Sequence, residues 1–238
     1  MIWTLLASGL VNLVAGAAFV RVGLHFRRRP AEPANRLAVR AFAAYWIGVG
    51  LYVSSWGGVL DVLASFGVAP FGLFLAARYA SLPIACAALG ALMFYFAFLF
   101  TGRRAWIWIS ALAYAATLAA GAWYVWARDP VGVSVQAWRT DLAYASPFGS
   151  PALNAIVLML VLPPMLGALA YATLARRAPT DAARRRILLV SAALFLWNGS
   201  ALFARLSDDD FWQLVTRPVA GLAAAALALY AYREGGGA

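Results

Sequence analysis

Few side chains in this sequence can do chemistry, and most of them are concentrated in a few places. Three acids are consecutive, Asp208, Asp209 and Asp210, with Arg205 just before them and Arg217 just after. Asp61 and Arg78 form a second, looser couple. Carboxylates and guanidiniums in apolar surroundings either close ion pairs or frame a polar pocket for a small ligand or ion. Other chemistries lack their parts. The sole histidine, His25, is of a type that ligates a haem or chlorophyll-type pigment axially. It has no second histidine and stands beside Arg27–Arg29, so it reads as an interfacial polar residue and no cofactor is expected. No His/Asp/Glu cluster offers a metal site, and no serine has a histidine base near it. No Gly-rich phosphate loop is present. The single cysteine, Cys86, excludes an internal disulfide. The expectation is a protein without enzymatic activity.

The elements that must position these charges are apolar. The chain has 238 residues, 64% of them hydrophobic and 12% charged, with a mean hydropathy of +0.78. Soluble domains carry about 25% charged residues, so this composition belongs to the membrane class. Seven stretches reach the roughly 20 apolar residues that a spanning helix needs: Ile2–Leu24, Leu37–Leu63, Phe71–Thr101, Ala105–Ala127, Pro151–Ala175, Ile187–Arg205 and Phe211–Tyr232. Their unbroken runs predict helices rather than barrel strands. The expected fold is all-α, a polytopic membrane protein built as one seven-transmembrane-helix bundle over residues 1–238. The longest connection, Arg128–Ser150, is expected as a short amphipathic segment or turn.

The basic residues, all arginine, alternate sides. Fourteen of the nineteen fall in or beside the turns after spans one, three, five and seven, and five fall on the other side. With three acids on the first side and six on the second, the net charges are +11 and −1, which together make the +10 of the chain. The positive-inside rule then places the N-terminus outside and the C-terminus in the cytoplasm. The basic excess is a topology signal that also meets anionic lipid heads, and no nucleic-acid partner is implied.

Measured from the cytoplasmic arginines, the remaining charges share a depth. Asp61 lies twenty-one residues beyond Arg40, Arg78 twenty-five before Arg103, and Arg205 nineteen beyond Arg186. At about 1.5 Å per residue each reaches roughly 30–38 Å, the outer boundary of the hydrocarbon, while Arg217 lies deeper at about 24 Å. Asp61 is expected to pair with Arg78, and Arg205 or Arg217 with the Asp208–Asp210 run. A ligand-binding or partner-docking layer of Asp61, Arg78, Arg205, Asp208 and Arg217 is the functional expectation. Pro163 and Pro164 should bend span five, and Pro218 should open span seven, since each lacks a backbone donor. Asn12, Asn154 and Asn198 are expected to hydrogen-bond between helices, with Asn198 a candidate hinge.

Three further stretches carry a resemblance: HFRRRPAEPANRLAVRAFAAYW, ARYASLPIACAALGALMFYFAFLFTGRR and ARRAPTDAARRRILLVSAALFLWNGSALF. A basic proline-bearing turn, an Arg-led span closing on T-G-R and an Arg-rich entry to an Asn-bearing span together resemble the seven-helix N-terminal sensor region of bacterial histidine kinases. The resemblance implies a module of the bacterial inner membrane that receives an extracytoplasmic or membrane signal and passes it to a cytoplasmic output. After Tyr232 only REGGGA follows, so output through a protein partner in the membrane is expected. The alternative is an accessory or scaffold subunit of a larger respiratory or photosynthetic complex, contacting lipid or pigment. The orientation is testable directly. Alkaline phosphatase fused after Val135 should be active in the periplasm, and a fluorescent protein fused after Arg233 should fluoresce in the cytoplasm; the reverse pattern overturns the arginine reading.

Overall fold

Proline, glycine and hydroxyl side chains punctuate the apolar runs and set where each helix starts, widens and stops. The computed structural model describes residues 1–28, 32–33, 35–102, 105–127, 129–145, 151–203 and 210–233 (of 151–160, 201–203, 210, 217, 233 and parts of 106–127, the backbone alone). Helix α1 covers Trp3–Arg28. Helix α2, Arg36–Tyr52, continues through a π-helix, Val53–Val59, into α3, Leu60–Ser65. Helices α4, Phe71–Thr101, and α5, Ala105–Ala127, follow. Strands β1, Pro130–Val135, and β2, Thr140–Tyr144, form an antiparallel hairpin. Helix α6, Pro151–Thr173, tightens into a 3₁₀ turn at Leu174–Arg177 and is followed by α7, Asp181–Phe203. The last rod is α8, Asp210–Leu214, a second π-helix, Val215–Val219, and α9, Ala220–Arg233.

Each predicted apolar stretch is thus helical over its described residues. Helix α7 starts earlier than the expected Ile187, because the Ala183 N–H donates to Thr180 Oγ1 at 3.2 Å and caps it. Gly102, at φ 61°, takes the left-handed conformation that closes α4. The hairpin corrects the all-α expectation. β-Branched Val131, Val133 and Val135 alternate with Gly132 and Ser134, a pattern that suits a strand and not a helix. Pro163 and Pro164 lie inside α6 without ending it.

The two π-helices share a local feature. In each, a hydroxyl bonds back to the carbonyl four residues earlier. Ser55 Oγ donates to Leu51 O at 2.8 Å, and Thr216 Oγ1 donates to Trp212 O at 2.7 Å. Pro218 also removes a backbone donor from the second.

Among the described residues, three helices are long and apolar enough to cross a membrane: Trp3–Arg28, Arg36–Ser65 and Phe71–Thr101. The last has the highest mean hydropathy, 2.1, yet only 22% of its most apolar window is buried inside the protein. Trp108 and Leu112 on α5 are 73% and 71% exposed. Apolar surface on this scale is untenable against water and suits a lipid surround.

Helices α1 and α2 pack so closely that their backbones touch. Gly9, Gly16 and Gly23, spaced by seven, line the α1 side, Gly16 and Gly23 against α2 and Gly9 against the first π-helix and α3 that continue it. A Cβ at Gly16 would meet Gly50 O at 2.8 Å, and one at Gly23 would meet Ala43 O at 2.7 Å. A chain of ring contacts then gathers the arginine-bearing ends. Phe26 meets Tyr232 and Phe42, Phe42 stacks on Tyr95 at 4.4 Å, and Tyr95 meets Tyr171. These join the C-terminal turns of α1, α4, α6 and α9 to the first turns of α2, so Arg27, Arg28, Arg36, Arg40, Arg176 and Arg177 share one end of the bundle. The hairpin sits at the other end. If the α1–α2 contact organises the fold, Gly16→Val should destabilise the detergent-solubilised protein by about 1–3 kcal/mol, the usual range for overpacking. Gly72→Val, with nothing within 4 Å of its Cβ, is the control, and equal melting of the two variants defeats the packing account.

Candidate ligand site at the hairpin end

The hairpin is held down first by apolar contact. Leu142 of β2 inserts among Leu5, Trp56, Leu60, Ala64 and Phe74, which come from α1, the first π-helix, α3 and α4. Tyr144 and Val133 pack against the same cluster. A two-stranded ribbon is marginal alone, and this plug supplies the burial it lacks.

A buried charge then fixes it. Asp61 is 0% exposed, and its Oδ1 accepts the backbone N–H of Thr140 at 2.8 Å across 79 residues of sequence. Thr140 is the first residue of β2, itself 1% exposed, and the N–H it offers to Asp61 points away from the ribbon. Burying a carboxylate costs several kcal/mol, which only close donors offset. A hydrogen bond to a charged acceptor returns about 1.5–3 kcal/mol.

Arg78, on α4, faces the same cluster. Its Nη1 lies 3.5 Å from Tyr52 Oη, and its Cζ sits 4.9 Å above the Trp56 ring. Asp141 and Tyr144 of β2 act on the guanidinium electrostatically. Cation–π contact on a shielded tryptophan holds a guanidinium in place without neutralising it. Arg78 Nε, Trp56 Nε1 and Thr140 Oγ1 are among the buried polar atoms here that have no hydrogen-bond partner. Two donors and a hydroxyl left over beside a carboxylate can recognise a small polar molecule.

Asp61 and Arg78 both lie at the hairpin end, Asp61 accepting from the Thr140 amide and Arg78 lying over Trp56 beside Tyr52. Depth along a helix says nothing about which way a side chain turns, so these contacts follow from packing rather than from spacing. Arg205 and Asp208 lie outside the described residues, as does the side chain of Arg217, whose backbone belongs to the second π-helix packed on α1 and α7. Asn154 likewise falls outside the described side chains. His25 stands at the arginine end, its ring 5.9 Å from Tyr232. Among the described residues, no group of three or more His, Cys, Asp or Glu could hold a metal.

Tyr52, Trp56, Thr140, Asp141 and Tyr144 are site residues that the sequence analysis does not single out. Their only signal was the V-G-V-S-V alternation near a second short run, T-D-L-A-Y. Deeper in the bundle, a second polar layer joins helices. Asn12 Nδ2 donates to Gly57 O at 3.0 Å, and Asn198 Nδ2 donates to Tyr45 Oη at 3.2 Å and Leu194 O at 2.7 Å. Both asparagines bridge helices, the role expected of them. Set against known proteins, the chain matches no family model, no curated protein and no solved structure.

The latch makes a local prediction. Asp61→Ala strips the Thr140 amide of its acceptor, at a cost of about 1–3 kcal/mol, so hydrogen exchange at that amide should accelerate sharply. Asp61→Asn keeps an acceptor oxygen and should retain slower exchange. Unchanged exchange in Asp61→Ala means that the carboxylate does not hold the hairpin.

Proposed function

We propose that this protein is a seven-helix, multi-pass module of the bacterial inner membrane, with its hairpin end periplasmic and its arginine end cytoplasmic. In this reading it is a non-enzymatic sensor or receptor, akin to the sensor region of histidine kinases, that perceives an extracytoplasmic or membrane signal. The observation that carries it is the Asp61 latch: a fully buried carboxylate that accepts the amide of Thr140, the first residue of the hairpin's second strand. An ion pair that merely closed a loop would need no such burial, whereas a ligand-responsive lid needs a polar catch that a competitor can release. Arg78, Trp56 and Thr140 supply unsatisfied groups for that competitor. The Asn12 and Asn198 bridges and the two π-helices offer a route for the change toward the arginine end, with Pro163, Pro164 and Pro218 lowering the resistance of their helices to bending.

One observation favours the second reading, an accessory subunit of a larger membrane complex. Helix α5 leans on α4 and α6 and turns Trp108, Ile109 and Leu112 outward, a face that a neighbouring subunit could cover as well as lipid. Purification of a tagged chain from native membranes in mild detergent separates the two. The sensor reading expects the chain alone or with a cytoplasmic signalling protein, and no pigment or haem absorbance. Fixed-stoichiometry migration with a respiratory or photosynthetic assembly overturns it.

A further inference from the structure

A cleft of about 270 Å³ opens at the arginine end, between the last turns of α6 with its 3₁₀ extension and the first turns of α7. Ala172, Ala175 and Leu188 form its apolar wall; Thr173, Arg176 and Arg184 form its polar wall. No carboxylate lines it. The Thr173 hydroxyl already donates to Ala170 O at 2.6 Å, so the donors left to a guest are the two guanidiniums. Both arginines are exposed and occur on separate segments joined by a short turn. Two cations facing one small cleft repel each other, and an anion seated between them turns that repulsion into attraction at both. The guanidinium fork matches phosphate oxygens, and it does so in a pair of hydrogen bonds per arginine.

The apolar wall selects among phosphates. A free phosphate gains nothing from Ala172, Ala175 and Leu188, whereas a phosphodiester that continues into hydrocarbon covers them. We propose that this cleft is a binding site for the headgroup of an anionic phospholipid, with Arg176 and Arg184 on the phosphate and the first methylenes along the apolar wall. The site rests on the membrane reading, in which this end meets the cytoplasmic leaflet. It differs from a diffuse basic surface in naming two of the many arginines there.

The test is native mass spectrometry of the full chain released from detergent and titrated with phosphatidylglycerol, phosphatidylcholine or inorganic phosphate. Phosphatidylglycerol should bind one-to-one and phosphatidylcholine far more weakly. Each cation near a lipid surface is worth about a factor of five, so Arg176→Gln with Arg184→Gln should weaken phosphatidylglycerol binding roughly twenty-five-fold. Arg27→Gln with Arg40→Gln, at the same end but outside the cleft, should change it little. Equal weakening by the two pairs overturns the site in favour of a diffuse field. Displacement of the lipid by millimolar inorganic phosphate overturns it in favour of a free-phosphate site. A chain recovered in the soluble fraction without detergent instead defeats the membrane reading itself, a failure visible before any lipid is added.

Discussion

Where α1 and α2 meet, two helices approach until main chain touches main chain, and little else in the bundle keeps its place without that contact. Side chains larger than glycine at positions 9, 16 and 23 would hold the axes apart, since a Cβ at each would fall within about 3 Å of the facing backbone. In a lipid surround the hydrophobic effect does not drive helices together, and close approach through small residues is what remains. The same approach is what lets Asn12 reach Gly57 O. The π-turn would otherwise leave that carbonyl poorly served in an apolar setting, where an unsatisfied backbone group is expensive.

From this contact the polar groups of the bundle line up as bridges between different helices. Asp61 ties α3 to the hairpin, Asn12 ties α1 to the first π-helix, Asn198 ties α7 to α2, and Ser191 donates across to Ala168 O of α6. Each bridge joins different helical or strand elements, so none forms before those elements pack. The two wide turns sit beside α1 on separate rods. A helix segment already displaced from ideal geometry by a back-bonding hydroxyl shifts register more readily than a regular one. That property gives the sensor reading a physical path, running from a catch at one end to the aromatic and arginine cluster at the other.

The two ends of the protein are built on opposite principles. At the hairpin end, the two charges of the candidate site are withdrawn from the surface, Asp61 fully and Arg78 in part. Around the arginine end, charge is abundant and exposed, and the rigid part is the aromatic chain from Tyr232 to Tyr171. Exposed guanidiniums keep their hydration and remain available to anions, whereas Asp61 must keep its partners or become costly. Change is therefore most consequential at the first end, and contact with the surroundings is broadest at the second.

By itself the sequence determined the helices and the end of the bundle on which the arginines gather. Uninterrupted apolar runs of that length have few alternatives, and alternation of basic turns follows from antiparallel rods. It also set the shared depth of Asp61 and Arg78, because rise per residue is constant along a helix. The heptad of Gly9, Gly16 and Gly23 was legible in principle, as a periodicity that needs no partner to be seen. Which way each charge turns was decided only by the tertiary structure. Asp61 meets Thr140 because a hairpin of short strands, too brief to announce itself, folds onto α3, and Arg78 meets Trp56 because α4 packs against the first π-helix. The π-helices were hidden for a related reason: one extra residue in a turn leaves the apolar pattern intact and alters only which carbonyl meets which donor. Depth is a one-dimensional quantity that the chain carries in its order, while azimuth and pairing exist only once the rods have packed.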